Sequence, residues 1–141
     1  MIIRPDAVCE TTIPDDPDDD PITGEAIQRG GPVAQVLADG LRARGREVTD
    51  LEYLGEHGWG FAVISARNGI SVDVTFFDDV SVMVSVTYRP RFYDRLLGRK
   101  DPVYREVLWD VDAILKSDDR LSEVRWYANG ADGQSADHPI G

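Results

Sequence analysis

Between Trp59 and Tyr88 apolar and polar residues alternate almost without a break, and nothing else in the chain narrows its fold as much. Trp59, Phe61 and Val63 come first, then Ile70, Val72, Val74 and Phe76, then Val80, Val82, Val84, Val86 and Tyr88. In the second and third runs the positions between them are Ser71, Asp73 and Thr75, then Ser81, Met83, Ser85 and Thr87. A period of two sends one set to a buried face and the other to water, which predicts three consecutive antiparallel strands covered on one side only. Asn68-Gly69 signals a two-residue turn that pairs Arg67 with Ile70, setting Val63 against Val74 and Phe61 against Phe76. At the next turn a two-residue loop would expose one strand's valines. Parity therefore requires an odd loop of Phe77, Asp78 and Asp79, with Phe76 against Val80 and Asp78 or Asp79 left-handed or bulged.

Elements on either side complete the fold class. Gly31-Pro32 opens a helix whose Val33, Val36, Leu37 and Leu41 form one apolar stripe, with Gly45 placed just past its end. Gly40 in its interior weakens it or admits a close neighbour. Arg42, Arg44 and Arg46 suit its C-terminal dipole. Glu47 to Leu54 reads as a strand, with Asp50 and Glu52 on the polar side. Asp101-Pro102 starts a second helix, and Val103, Tyr104, Val107, Leu108, Val111, Ile114 and Leu115 keep helical spacing along it. Leu121 to Ala128 reads as a last strand with Val124 and Trp126 inward. The expected fold is α+β, a two-layer sandwich in the order α-β-β-β-β-α-β. Its antiparallel sheet has about five strands, and both one-striped helices lie on the same face.

Charge bounds the partners. The chain has 141 residues and a formal net charge of −11, which disfavours nucleic acid and anionic membranes and favours a basic protein partner. Much of that charge lies in residues 1–29, where Asp15, Asp16, Asp18, Asp19 and Asp20 cluster with Pro14, Pro17 and Pro21. This segment is read as acidic and largely irregular. Residues 30–128 form the single domain, and residues 129–141, rich in Gly, Asp and Ser, a flexible tail. A single cysteine, Cys9, cannot form an internal disulfide. With no export-type apolar region at the start and no membrane-length apolar run, a cytoplasmic location is expected.

Candidate functional residues come from the polar face of the alternation. Asp50, Glu52 and Asp73, with Asp78 and Asp79 at a turn and Glu56 at the rim, are expected to form a negative docking surface, to which Met83 adds an adaptable apolar spot. A wet sheet face is also what solubility alone produces. His57 and Trp59, between the glycines of Gly55-Glu56-His57-Gly58-Trp59-Gly60, are a possible ligand site. Turn and packing roles explain them as well, and no second group converges on them. No catalytic residue, cofactor or metal site is expected. Taking Asp16, Asp18 and Asp20 as calcium ligands puts Pro21 where an EF-hand needs glycine and Ile27 where it needs glutamate. Arg89, Arg91, Arg95, Arg99, Lys100 and Arg105 form a basic run that pairs internally or binds an anion. The alternatives to a docking role are a small-molecule-binding domain or enzyme with a pocket near His57 and Trp59, and a self-associating subunit, a homodimer paired through the strand at Leu121 to Ala128.

A small acidic α+β domain without catalytic residues resembles the immunity proteins that protect bacteria from toxins, many of which are basic nucleases. The resemblance rests on architecture, size and charge across residues 30–128. It implies a non-catalytic toxin inhibitor that occludes a basic active site with carboxylates, and it transfers no individual residue.

Overall fold

In a computed structural model, which describes residues 2–65, 69–89, 96, 102–130 and 133–141, the elements laid out among the described residues are two long helices and a six-stranded antiparallel sheet. The elements are β1 (Asp6–Thr11), α1 (Gly31–Ala43), β2 (Glu52–Tyr53), β3 (Trp59–Ile64), β4 (Gly69–Phe76), β5 (Ser81–Arg89), α2 (Pro102–Ser117) and β6 (Leu121–Tyr127), with a short 3-10 turn at Gly55–His57. Strand order across the sheet is β2-β3-β4-β5-β1-β6. The α+β class is as expected. The buried strand residues, among them Phe61, Val63, Val72, Val74, Val82 and Val84, share one parity, and they form a single core with Leu37 and Leu41 of α1 and Leu108 and Leu115 of α2. A period of two thus places the sheet's apolar side under the helices.

The largest difference from expectation is at the start of the chain. Residues 6–11, read as part of an irregular segment, form β1, which pairs with β5 on one side and β6 on the other. Ala7 and Cys9 face the core and are fully buried, while Asp6, Val8 and Glu10 alternate with them. Small inward residues gave this strand little apolar weight, and the aspartates that follow masked its alternation. The sheet therefore has six strands rather than about five.

Registers kept their predicted parity but not their predicted pairs. Ile70 lies opposite Val63 rather than Arg67, and Phe61 opposite Val72. Parity cannot tell a register from one shifted by an even number. In the observed register Trp59 lies opposite Val74, packs against Gly31 and donates its indole N–H to the Gln28 carbonyl at 3.0 Å. Between β4 and β5 the loop is odd but moved on by one residue. Phe76 pairs with Val82, Phe77 donates to Ser81, and the loop is Asp78, Asp79 and Val80. Neither aspartate is left-handed, because Glu123 is the only non-glycine with positive φ among the described residues. Instead Asp78 accepts hydrogen bonds from the Val80 and Ser81 amides at 2.9 and 2.7 Å and sets the turn with its side chain.

Strand β2 is shorter than Glu47 to Leu54, although Thr49 and Val48 also bond to β3. In β6 a bulge lets one residue of β1 face two of β6, between Val8 and Glu10. Glu123, with φ of 55°, absorbs the extra residue, so Leu121 before it and Trp126 after it both reach the core.

The helices meet where Gly40 stands, since a Cβ there would come within 2.8 Å of Ile114. The arginines after α1 also do more than suit its dipole. Arg46 reaches Asp110 and Glu106 of α2 at 3.0 Å each, and Arg44 reaches Asp110 at 3.7 Å. Gly45, with φ of 84°, closes α1 as expected.

Residues 135–141, expected as a flexible tail, run beside β6 and the start of β1. Ala136 exchanges both backbone bonds with Trp126, Arg125 pairs with Asp137, and Ile140 bridges to Ile3. Beneath them the Asp112 carboxylate is buried, and it accepts from the Trp126 indole and from Lys116, both at 2.8 Å. Of the basic run, Arg91, Arg95, Arg99 and Lys100 lie outside the described residues, as does the expected turn at Asn68.

Candidate functional site

Register places one row of residues across the side of the sheet opposite α1 and α2: Glu52 beside Gly60, Gly60 beside Asp73, Asp73 beside Ser85, and Ser85 beside Asp6. With strands about 4.8 Å apart, Glu52 and Asp73 stand roughly 10 Å from each other across Gly60. Because Gly60 has no side chain and Ala62 and Ser71 are small, the surface sinks between them. The result is a shallow depression of about 430 Å³, with Asp50, Glu52 and Asp73 around it. A Cβ at position 60 would press on the Asp73 carboxylate and approach Leu54 within 2.8 Å, so both side chains would have to shift and the hollow would fill. Three of the six acids expected at a docking surface are therefore gathered at one place.

The other three lie at the end of the sheet. Glu56 is exposed on the 3-10 turn, which is held to β4 where Thr75 donates to the His57 carbonyl at 2.8 Å. Asp78 and Asp79 occupy the β4–β5 turn, where the Asp78 carboxylate is engaged by the turn amides and the Asp79 carbonyl accepts from Arg29 at 2.7 Å. Asp6 completes the row but escaped the sequence reading, because its segment was taken as irregular. The alternation of Asp6, Val8 and Glu10 with Ala7, Cys9 and Thr11 was the signal. Asp6 also accepts from the Gly130 amide at 2.7 Å.

Trp59 is half-buried and held by Gln28, Gly31 and the ring of Tyr53, whose centroid lies 5.1 Å away. These contacts make it a packing residue at the start of α1. The His57 side chain is exposed on its turn. Among the described residues no group of three or more His, Cys, Asp or Glu is arranged to hold a metal ion, and no helix is long and apolar enough to cross a membrane. A larger cleft of about 690 Å³ opens between the helix ends beside Gly40, Arg44, Ile114 and Arg120. Its two arginines are already paired with Asp110 and Asp118. At the far edge of the sheet, the tail at Ala136 occupies the backbone groups that Trp126 would offer to a second copy.

Two carboxylates have acidities set by local donors. The Asp78 carboxyl is held below its ordinary value by the Val80 and Ser81 amides, and Asp118 by hydrogen bonds from the Arg120 guanidinium and amide. A folded-state pKa below the unfolded one stabilises above the unfolded value and is lost as pH falls through the folded one. Thermal midpoints should therefore hold steady near neutrality and drop below about pH 4, the ordinary Asp range. Asp118→Asn should flatten part of that drop, and an unchanged acid limb in the variant would show that the Arg120 pair contributes nothing.

Compared with family models, curated proteins and solved structures, the chain matches none significantly, so the geometry carries the functional reading.

Proposed function

We propose that this is a non-catalytic binding protein that docks a basic protein partner on the face of its sheet opposite α1 and α2 and inhibits it, in the manner of the toxin-immunity proteins it resembles. The observation that supports this reading is the convergence of Asp50, Glu52 and Asp73 on one depression in the face opposite α1 and α2. Acids gathered at one depression by the fold offer a ready counter-charge to cationic side chains, and a net charge of −11 speeds the approach of a basic partner. The depression is shallow, with the small residues Gly60, Ala62 and Ser71 at its floor and carboxylates at its rim, which suits an inserted arginine or lysine. A partner whose function is to bind nucleic acid would present such side chains.

The test is capture from cells of the source organism on immobilised protein, comparing the native chain with an Asp50→Lys/Glu52→Lys/Asp73→Asn variant. Binding of a basic protein should weaken on the order of 100-fold in the variant, and steeply as salt is raised. A partner held equally well by the variant, or indifferent to salt, would remove the acidic face from the function. A basic partner encoded beside this protein, and toxic without it, would add the inhibitory half of the reading.

A further inference from the structure

At the end of the sheet next to this face, the β4–β5 turn exposes two apolar side chains, Phe77 at 49 % and Val80 at 50 %. A turn of this kind asks for Asp, Asn or Gly, which Asp78 and Asp79 supply, and nothing in its geometry asks for a phenylalanine or a β-branched valine. Single exposed apolar residues are common, but here two flank a pair of carboxylates on one tip.

The tip is stiff. Asp78 fastens the Val80 and Ser81 amides, and Arg29 fastens the base. Its guanidinium lies 4.1 Å from the centroid of Phe76, donates to the Asp79 carbonyl at 2.7 Å, and donates to the Asp15 carbonyl at 3.2 Å. Asp15 in turn accepts from the Gly30 amide at 2.6 Å, closing the intervening acidic segment into a loop clipped to the same turn. That loop also carries an exposed apolar residue among acids, Ile22 at 92 %. Side chains displayed on an already ordered turn lose little entropy when bound, so their burial goes to affinity.

We propose that Phe77 and Val80 are the apolar anchors of this protein's interface, inserting into a nonpolar hollow bordered by basic residues on its partner, with Asp78 and Asp79 meeting those residues. The proposal rests on the reading of a basic partner and adds a second contact region to it. Charge complementarity selects that occupant. A second copy of this chain would bring like charges together at the tip, and an uncharged apolar partner would leave both aspartates desolvated without a counter-charge.

The test uses two labelled peptides of equal length and equal arginine content, one with leucine and one with serine at the intervening positions, titrated by fluorescence anisotropy. The native protein should bind the leucine peptide about tenfold more tightly, the preference expected from burying a few apolar groups. Phe77→Ser/Val80→Ser should erase that preference and leave the serine peptide's affinity unchanged, with thermal melting confirming the fold. Equal binding of the two peptides by the native protein, or a preference that survives the double substitution, overturns the anchors. Weakening of both peptides in an Asp50→Asn/Glu52→Gln/Asp73→Asn variant reports separately on the sheet face. If that variant binds the serine peptide normally, the face reading fails while the anchors stand, and if neither peptide binds the native protein, both are overturned.

Discussion

Substituting Gly58 by alanine is expected to destabilise the protein by about 3–5 kcal/mol, enough to unfold much of it at physiological temperature. Gly58 has φ of 81° and ψ of −123°, a combination essentially reserved for glycine. Strain is only part of the effect, because a Cβ at this position would overlap the Val74 carbonyl oxygen of the neighbouring strand. That oxygen belongs to the backbone and cannot swing aside. Relief would require β3 to move away from β4, and with it the bond from the Leu54 amide to the Gly58 carbonyl at 2.8 Å. Urea denaturation gives the measurement. Gly55→Ala provides the comparison, since Gly55 also has positive φ but open space around its missing Cβ, and it should lose only about 1–2 kcal/mol. Similar losses in the two variants would show that backbone strain, and not the collision with β4, dominates at Gly58.

The second large effect is alkaline. Burial pushes the Cys9 thiol up from 9.0 to about 12, because a thiolate between Val82 and the helices has no solvent around it. The folded protein thus keeps a proton that the unfolded chain releases at lower pH. Stability is fully present below the unfolded value and declines as pH rises towards the folded one, by up to about 1.4 kcal/mol per pH unit. Between about pH 9 and about pH 12 this sums to roughly 4 kcal/mol, as an order of magnitude. Tyr104 adds to the later part of the same limb. Its hydroxyl donates to the Val86 carbonyl at 2.8 Å, and burial raises its pKa to about 12. Urea melts at about pH 8 and about pH 10.5 should differ strongly for the native protein and less for Cys9→Ala. Parallel declines in the two proteins would assign the alkaline limb elsewhere.

The parts of this fold that could be read in advance are those whose side chains advertise their period. Val72, Val74, Val82, Val84 and Val86 are large enough to mark a buried strand face, and the stripes of α1 and α2 are similarly clear. β1 was hidden because its inward residues are Ala7, Cys9 and Thr11, two of them small and one polar. Register was only half legible. Alternation says which residues share a face, and it does so equally well after a slip of two or four positions. The same division runs through the candidate site. Parity alone placed Asp73 on the polar face, and the strand reading placed Asp50 and Glu52 beside it. The depression between them depends on Gly60 facing Asp73, which needed the true register. The locking of the β4–β5 turn by Arg29 joins residues fifty positions apart, and no local pattern records it.

The position of β1 bears on how the chain is made. Synthesis delivers this strand well before both neighbours that hold it, at residues 81–85 and 121–127. Until β6 has left the ribosome, one flank of β1 has nothing to bond to. A strand translated before its partners is thus among the last to be seated, and a nascent chain that stalls after α2 should leave it half-paired and open to chaperones.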